Sequence, residues 1–252
     1  MKSLPLISII TVVLNNKMVE ETIKSVLDQN YENIEYIIID GGSTNGTLEI
    51  INKYRNKISR IVSEPDKGTY DAMNKGISIA SGDIVAILNA GDFYDSNDII
   101  SEIVDTFQKE EPDCLWGDLV YVSQEDPKKI IRLWKSSGYK KGKFQKGWMP
   151  PHPTFVVKRE IYQKYGKFNL GFPISADYEL MLRFLEKHKI KYCYMPQILV
   201  RMRIGGQSNK NIFNIIKGNI ECYRAYKING LKIGFLRILL KPLSKILQYL
   251  KI

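Results

Sequence analysis

Acidic and amide side chains stand beside glycines at three places in the first hundred residues. They are Asp40 in Asp-Gly-Gly-Ser-Thr, Asp66 in Glu-Pro-Asp-Lys-Gly, and Asn89 with Asp92 in Asn-Ala-Gly-Asp. Glycine lets the backbone approach a ligand closely, and a carboxylate beside it can accept hydrogen bonds from a base or a ribose. Asp92 is also a hard oxygen ligand of the kind that Mg²⁺ and Mn²⁺ prefer. The three segments therefore predict a site for a polar ligand.

Each segment also has a purely structural interpretation, and these alternatives stay open. Asp40 can cap the helix predicted to begin near Thr47, because Asp-Gly-Gly-Ser-Thr is ordinary turn chemistry. Asp71 and Lys75 are spaced as a solvated ion pair on one helix face. Asn-Ala-Gly-Asp can be a plain turn after a buried strand. The order and spacing of the three segments, taken together, favour a binding site.

Strands and helices alternate through this part of the chain and must position the three segments. Runs rich in Ile and Val predict buried strands at residues 6–14, 34–39, 58–62 and 83–88. The residues between them predict helices at 17–29, 47–54 and 70–80. This alternation predicts a mostly parallel α/β sheet with helices on both faces. Asn15 and the three segments then fall at the carboxyl ends of strands, where open α/β sheets bind ligands.

The second half of the chain predicts a less regular succession of elements. Helices are expected at residues 98–107, 160–165 and 178–187, and strands at 114–122, 130–134, 155–157 and 192–203. Residues 135–151 contain Ser, Gly, Lys and aromatics without a stable period, which predicts a mobile loop. The sequence contains no internal repeat.

Net charge and cysteine usage bear on the cellular setting. The formal net charge is +10, and Glu221 is the only acid after Arg201, so the basic excess lies in the last fifty residues. Three widely spaced cysteines without a CxxC pair predict a reducing, cytoplasmic compartment. No window reaches the roughly 18 uncharged apolar residues of a membrane-spanning helix.

An apolar stripe and a basic stripe follow helical spacing from Leu231 onward. The apolar residues are Leu236, Leu239, Leu243, Ile246, Leu247 and Leu250. The basic residues are Arg237, Lys241 and Lys245. This pattern is typical of a helix that lies on an anionic membrane surface, here the inner face of the cell membrane. A helix packed on the domain or in a dimer contact is the alternative.

Three stretches of the sequence resemble the donor half of family 2 glycosyltransferases. They are IIIDGGSTNGT (37–47), SEPDKGTYDAMNKGISIASGD (63–83) and LNAGD (88–92). The likeness covers about the first two hundred residues and is nearest to bacterial enzymes that assemble exopolysaccharide or O-antigen repeat units. It implies a GT-A domain over 1–208, with a donor half at about 1–95 and an acceptor half at about 96–208. Residues 209–252 then form a basic amphipathic helical tail.

The resemblance also implies which residues contact a nucleotide-sugar. The donor-site residues are Thr11, Asn15, Asp40, Gly42, Asp66, Asn74, Asn89, Ala90, Gly91, His152, Arg203 and Gln207. Asp92 is the implied ligand of Mg²⁺ or Mn²⁺, because LNAGD takes the place of the family's metal motif. Many family members carry an arginine where this chain has Met73, and Arg203 is expected to supply that cation instead.

The catalytic base is implied by a segment of the acceptor half. Ser175-Ala176-Asp177-Tyr178-Glu179 resembles the family's base segment at a helix start, with Ala176 in place of the usual first acid. Asp177 is therefore the candidate base that deprotonates an acceptor hydroxyl. Capping of the helix is its structural alternative, and the two roles are compatible.

The expected function is transfer of a hexose or N-acetylhexosamine from a UDP-sugar, with inversion, to a hydroxyl of a polyprenyl-diphosphate-linked saccharide. Two other classes remain as alternatives. A nucleotidyltransferase-like enzyme would need a glycine-rich basic loop after the first strand, where this chain has LNNKMVEET. A nucleic-acid-binding protein would interleave basic and aromatic residues on its body, whereas these basic residues gather in the tail. No nucleic-acid partner is expected.

Overall fold

The computed structural model describes residues 4–204 and 212–232 as an α/β fold. The strands are β1 (Ile7–Val13), β2 (Ile34–Asp40), β3 (Arg60–Ser63), β4 (Ile84–Ile87), β5 (Phe93–Tyr94), β6 (Cys114–Val122), β7 (Ile130–Trp134), β8 (Val156–Lys158) and β9 (Tyr192–Arg203). The α-helices are α1 (Val19–Leu27), α2 (Thr47–Asn52), α3 (Thr69–Ile79), α4 (Ile99–Glu110), α5 (Arg159–Tyr165), α6 (Ala176–Leu182) and α7 (Ile212–Ile228). Short 3₁₀ turns lie at Arg55–Lys57, Phe144–Lys146 and His152–Thr154, and a π turn at Arg183–Lys187 continues α6.

The strands form one sheet in the order β3-β2-β1-β4-β8-β6-β9-β5, with β7 paired to β6. Strands β1 to β4 run parallel to one another, and Ile10 of β1 lies between Ile37 and Ile87. β8 is antiparallel to both of its neighbours, β4 and β6, while β6 and β9 run parallel. The predicted α/β class is therefore confirmed, and the parallel arrangement is most regular where Ile and Val runs alternate with helices.

Side chains of β1 alternate between the two faces of the sheet, as expected for a strand covered on both sides. Ile9 and Val13 face the helices α1 and α4, and Ile10 and Val12 face α3. Each fully buried isoleucine contributes about 2 kcal/mol of hydrophobic stabilisation. Gly76 lets α3 approach closely, because a Cβ at that position would lie 2.4 Å from Cγ2 of Ile10.

The segment predicted to be a mobile loop, residues 135–151, packs its aromatic side chains against β6 and α6. Phe144 is buried, and its ring lies 5.5 Å from those of both Trp148 and Tyr178. Trp148 in turn lies edge-on to Trp116 of β6, at 6.0 Å. Lack of a period predicted a loop correctly, but it did not reveal that the aromatic residues form a cluster.

The helix α7 begins the region that the sequence assigned to the tail, and it packs on the domain. Cys222, Ala225 and Tyr226 are buried in the core shared with α6. The boundary predicted at residue 208 therefore precedes a helix that belongs to this core. The stripes beyond residue 232 lie outside the described residues. Within the described ranges, no helix is long and apolar enough to cross a membrane.

Candidate functional site

Asp40 ends β2 and shapes the loop that follows it. Its carboxylate is fully buried and accepts hydrogen bonds from the backbone N–H of Ser43 (3.0 Å) and the hydroxyl of Ser63 (2.7 Å). Asn15, in the left-handed region at φ 50°, binds the same loop: its N–H donates to Ser43 Oγ (2.7 Å), and its Oδ1 accepts from Thr44 N–H (2.9 Å). The loops after β1 and β2 are thus fixed to each other. Asp40 supports this surface from inside, so the loop backbone is what the surface presents to a ligand.

Asp66 lies directly over the glycines after Asp40. A Cβ on Gly41 would be 2.3 Å from Asp66 Oδ2, and the other carboxylate oxygen of Asp66 accepts from the N–H of Gly68 (2.8 Å). Gly42 adopts φ +86°, which favours glycine, and lies beside Pro65. The structure therefore brings two of the predicted segments into contact at the carboxyl edge of the sheet, with a half-buried carboxylate between them.

The third segment, after β4, is held by two residues that the sequence did not single out as site residues. Asn16 Nδ2 donates to the carbonyl oxygen of Ala90 (2.9 Å). Thr22 of α1 accepts from the N–H of Gly91 (2.9 Å) and donates to the carbonyl oxygen of Asp92 (2.8 Å). Asn16 follows the first predicted strand, which was a usable signal. Thr22 lies inside a helix and gave none, because its partner is set by how α1 packs.

Asp92 and Asn89 form a pair of buried oxygen atoms at this edge. Asp92 is 5% exposed, and neither its Oδ2 nor Asn89 Oδ1 has a hydrogen-bond partner among the described residues. Burial raises the pKa of Asp92 to about 7, against the lowering effects of the Arg203 N–H, the Asn89 side chain and the Arg203 charge. Buried oxygens without donors favour a proton or a hard cation, so these residues fit a divalent metal.

A metal at this place would need ligands from outside the protein. The described residues contain no group of three His, Cys, Asp or Glu side chains that could hold an ion. Mg²⁺ is often bound by one or two carboxylates with substrate phosphates and water. The oxygens of Asp92 and Asn89 match such a partial site.

Arg203 lies behind Asp92 and does not match its predicted role as the cation for a diphosphate. It is buried, and its guanidinium binds Glu21 and the carbonyl oxygens of Ser123 (3.1 Å) and Gln124 (2.6 Å). These partners hold the end of β9 against α1 and the loop after β6. The backbone N–H of Arg203 binds Asp92, and the charge of the guanidinium lowers the pKa of that carboxyl. Gln207 lies outside the described residues.

Two further predicted contacts have internal partners. Thr11 is fully buried, and its hydroxyl lies 3.1 Å from the hydroxyl of Tyr36. Because it projects into the core from the middle of β1, it does not line the sheet edge. The amide of Asn74 pairs with the backbone of Phe168, donating to its carbonyl oxygen and accepting from its N–H, both at 2.9 Å. Asn74 thus fixes the Phe168 segment, and its contact with phosphate or sugar stays a prediction.

Asp177 connects the two halves of the domain through Tyr70 of α3. Its Oδ1 accepts from the N–H of Tyr178 (2.8 Å) and lies 3.1 Å from the Tyr70 hydroxyl. Its Oδ2 lies 3.7 Å from Nδ1 of His152. Burial, followed by the charge of Asp177, raises the pKa of Tyr70 well above its usual range, so the phenol stays protonated and can donate.

One cleft joins these residues from both halves. It is lined by Asn89, Met73 and Tyr70 from the donor half and by His152, Phe168 and Asp177 from the acceptor half. Its empty space is about 400 Å³, including the open mouth. Asp177 is 19% exposed and His152 is 29% exposed. Asn89 and Asp177 thus line one space, so a ligand placed in it would lie beside both side chains.

The chain is similar to known proteins in sequence and in fold. Residues 8–166 match the family model described as glycosyl transferase family 2. The chain belongs to this family. It is 33% identical over 187 residues to an uncharacterised glycosyltransferase of Mycobacterium tuberculosis (strain CDC 1551 / Oshkosh), covering 73% of this chain and 70% of that protein. It is 26% identical over 211 residues to a PGL/p-HBAD biosynthesis glycosyltransferase of Mycobacterium bovis (strain BCG / Pasteur 1173P2), covering 81% and 80%.

Solved structures resemble this family 2 chain in fold. Staphylococcus aureus TarS 1–349 in complex with UDP superimposes with a TM-score of 0.67 at 15% identity, covering 95% of this chain and 71% of that chain. The mannosyltransferase PcManGT from Pyrobaculum calidifontis, in complex with GDP-Man and Mn²⁺, gives 0.63 at 17% identity, covering 90% and 68%. The fold is GT-A, and family membership identifies the chain as a glycosyltransferase. This favours neither the nucleotidyltransferase-like nor the nucleic-acid-binding alternative.

Proposed function

We propose that this glycosyltransferase moves a hexose or N-acetylhexosamine from a UDP-sugar, with inversion, to a hydroxyl of a lipid-linked saccharide. The observation that carries the proposal is the single cleft between Asn89, at the donor edge of the sheet, and Asp177, at the start of α6. A donor held along the loops after β1, β2 and β4 would present its sugar to that cleft. The acceptor would enter from the side of His152.

The donor part of the proposal is supported by the contact between the loops after β1 and β2 and by structures of similar fold that contain nucleotides. Asn15, Gly42 and Asp66 lie on the loops that would meet the nucleoside, and the backbone there is free of side chains at two successive glycines. TarS structures contain UDP or UDP-GlcNAc, and PcManGT contains GDP-Man. UDP-sugars are therefore the first donors to test, with GDP-mannose as the comparison.

A divalent metal, Mg²⁺ or Mn²⁺, is proposed at Asp92 Oδ2 and Asn89 Oδ1, the two buried oxygens without partners among the described residues. When bound, such an ion neutralises the charge that develops on the leaving diphosphate. Arg203 would keep Asp92 in place through its backbone N–H and its charge. Ala90 and Gly91 would set the path of the loop, because Thr22 and Asn16 hold both of them.

Asp177 is proposed as the base. Its Oδ1 is engaged by Tyr178 and Tyr70, so Oδ2, on the side of His152, is the oxygen that would take the proton of the acceptor hydroxyl. The acceptor oxygen would then form its bond to the sugar's anomeric carbon as the bond to the diphosphate oxygen breaks. Attack from the face opposite the diphosphate inverts the anomeric configuration.

The acceptor is proposed to be a polyprenyl-diphosphate-linked saccharide of a bacterial surface polysaccharide, met at the cytoplasmic face of the membrane. The basic, leucine-rich residues after 232 support contact with an anionic membrane. Exposed isoleucines on α7, Ile216, Ile220 and Ile228, add apolar surface next to them in the chain. One relative is named for PGL/p-HBAD biosynthesis.

A screen of nucleotide-sugars tests the donor and base assignments separately. We expect Mn²⁺-dependent binding of one UDP-sugar by calorimetry, lost in Asp92→Ala and retained in Asp177→Ala. Transfer to the acceptor should fall about a hundredfold or more in Asp177→Ala, in keeping with loss of a general base. Asp105→Ala, in an exposed ion pair of α4, is the control. Failure of every nucleotide-sugar to bind would refute the donor site, and full transfer by Asp177→Ala would refute only the base.

A further inference from the structure

One buried carboxylate joins α7 to the turn that precedes α6. Glu221 lies in α7 and is 5% exposed. Its Oε2 accepts hydrogen bonds from the backbone N–H groups of Ile174 (3.0 Å) and Ser175 (2.8 Å). Glu221 is also the only acid in the chain after Arg201. A region that is otherwise basic therefore places its one carboxylate in the interior, against a specific turn.

Glu221 binds backbone N–H groups at the start of α6, which side chains close in sequence often bind in other helices. The backbone N–H groups at a helix start lack partners within the helix. Ser175 occupies the N-cap position of α6, but its side chain makes no capping bond and its hydroxyl donates to the carbonyl oxygen of Gly218 in α7 (3.2 Å). Both hydrogen-bond donors of Ser175, its N–H and its hydroxyl, thus bind α7, which lies more than forty residues further along the chain.

The same turn is held from the opposite side by α3. The Tyr70 hydroxyl lies 3.0 Å from the carbonyl oxygen of Ile174 and 3.1 Å from Asp177 Oδ1. Ile174 therefore has its N–H bound by α7 and its carbonyl oxygen bound by α3. Gly218 packs against this turn, since a Cβ there would lie 3.4 Å from Ile174 Cγ2 and from Ser175 Oγ. Asp177 follows this turn directly, so the turn sets where its carboxylate stands.

We infer that Glu221 is a positioning residue for the proposed base, acting by fixing the Ile174–Ser175 turn so that Asp177 faces the cleft. The inference rests on the proposed function, because it takes Asp177 as the base. The effect depends on the two hydrogen bonds and on the length of the Glu221 side chain. Both bonds go to Oε2, while Oε1 has no hydrogen-bond partner among the described residues. An amide can therefore replace the carboxylate and still accept both bonds, whereas a shorter side chain cannot reach.

The test compares Glu221→Gln with Glu221→Asp in transfer to a defined acceptor. Glu221→Gln should keep kcat within about twofold, because its amide oxygen accepts the same two N–H groups. Glu221→Asp should lower kcat about tenfold or more, since small displacements of reacting groups are costly. KM for the nucleotide-sugar should stay unchanged, and the acidic limb of the kcat against pH profile should shift. Unchanged kcat and pH profile in Glu221→Asp would overturn the inference.

Glu35 provides a matched control at the other end of the sheet. It is also buried, and its carboxylate accepts from the N–H of Ser81 (2.7 Å) and the hydroxyl of Ser8 (2.5 Å), near the start of β2 and away from Asp40. Glu35→Asp should lower the melting temperature without changing kcat per folded molecule or the pH profile. An equal loss of kcat in Glu35→Asp would mean that Glu221 acts only on stability, and would overturn the inference.

Asp177→Asn, measured in parallel, separates the two levels of the argument. Loss of transfer in Asp177→Asn together with unchanged Glu221→Asp kinetics would overturn only the positioning role. Full transfer in Asp177→Asn would overturn the base assignment, and the positioning role with it, while leaving the donor site untouched. The expected result is loss of transfer in Asp177→Asn, a lowered kcat in Glu221→Asp and a nearly unchanged kcat in Glu221→Gln.

Discussion

The hydroxyl of Tyr70 lies 3.1 Å from Oδ1 of Asp177, although 107 positions separate the two residues in the chain. Tyr70 belongs to the first turn of α3, beside the loop that carries Asp66, and Asp177 belongs to the first turn of α6. The beginnings of a donor-half helix and an acceptor-half helix therefore meet at one hydrogen bond. A change at Tyr70 should therefore affect how the two substrates are brought together.

Tyr70→Phe removes the hydroxyl that contacts both Asp177 and Ile174. Hydrogen bonds to charged groups contribute about 1.5–3 kcal/mol, so we expect transfer to fall about tenfold or more with nucleotide-sugar binding retained. Tyr31→Phe is the control, because the Tyr31 hydroxyl also binds a carbonyl oxygen, that of Pro5 (2.6 Å), away from the cleft. Unchanged kcat in Tyr70→Phe, measured with saturating donor, would contradict a role for this contact.

The raised pKa of Asp92 predicts how stability of the metal-free protein depends on pH. Its pKa is about 7 in the folded chain, against an ordinary value of 3.8, so the folded state retains a proton that the unfolded state releases. This contribution is complete below about pH 4 and is lost as the pH rises through 7. The difference between these two pKa values corresponds to at most roughly 4 kcal/mol in the free energy of unfolding.

Asp92→Asn should remove this part of the pH dependence. With EDTA present, urea midpoints of wild type and variant measured at pH 5 and pH 8 should differ in their change between the two pH values, the wild type losing more stability at pH 8. Mn²⁺ should bind the wild type more tightly as the pH rises toward 7, because the ion competes with the proton. Parallel stability curves for the two proteins would show that Asp92 does not titrate in this range.

Gly76→Ala should loosen the packing of α3 on β1. The added methyl group would lie 2.4 Å from Cγ2 of buried Ile10, and overpacking of this kind costs about 1–3 kcal/mol. Chemical denaturation should show the loss. In an Ile10→Ala background the same change should cost less, because the clashing atom is absent. Equal costs in the two backgrounds would mean that the helix shifts freely.

Removal of residues 233–252 should leave the donor site and α7 intact while weakening membrane contact. We expect unchanged nucleotide-sugar binding and loss of co-sedimentation with vesicles rich in anionic lipid. Vesicles of neutral lipid, to which neither form should bind, are the control. Undiminished binding of the shortened chain to anionic vesicles would move the membrane contact elsewhere, with the exposed isoleucines of α7 the next surface to test.

Sequence patterns predicted the strands best where apolar residues recur regularly along the chain. β1, β2 and β4 are Ile and Val runs buried on both faces, and β6, β7 and β9 were predicted with the bounds that the structure has. β5 was missed because two residues, Phe93 and Tyr94, are too few to show a period. The antiparallel insertion of β8 between β4 and β6 depends on contacts across the chain, which no local pattern encodes.

Site residues were predicted by type more reliably than by the direction of their side chains. Asn89, His152 and Asp177 line one cleft, and Asp66 lies against Gly41 at the carboxyl edge of the sheet, while their roles stay predictions. Arg203 was expected to face the ligand, but Glu21 and the carbonyl oxygens of Ser123 and Gln124 draw it behind the sheet edge. Such partners lie far away in the sequence. A motif therefore predicts where a residue lies in the fold, but not which groups its side chain binds.

The aromatic cluster of the acceptor half determines what tryptophan fluorescence can report. All three tryptophans of the chain, Trp116, Trp134 and Trp148, come after residue 95. Two of them lie in the cluster around Phe144, whose ring contacts Tyr178, the neighbour of Asp177. A rearrangement around α6 should therefore change tryptophan emission, because Trp148 contacts Phe144 and Phe144 contacts Tyr178. The segment that holds the proposed base thus has an intrinsic fluorescent reporter beside it.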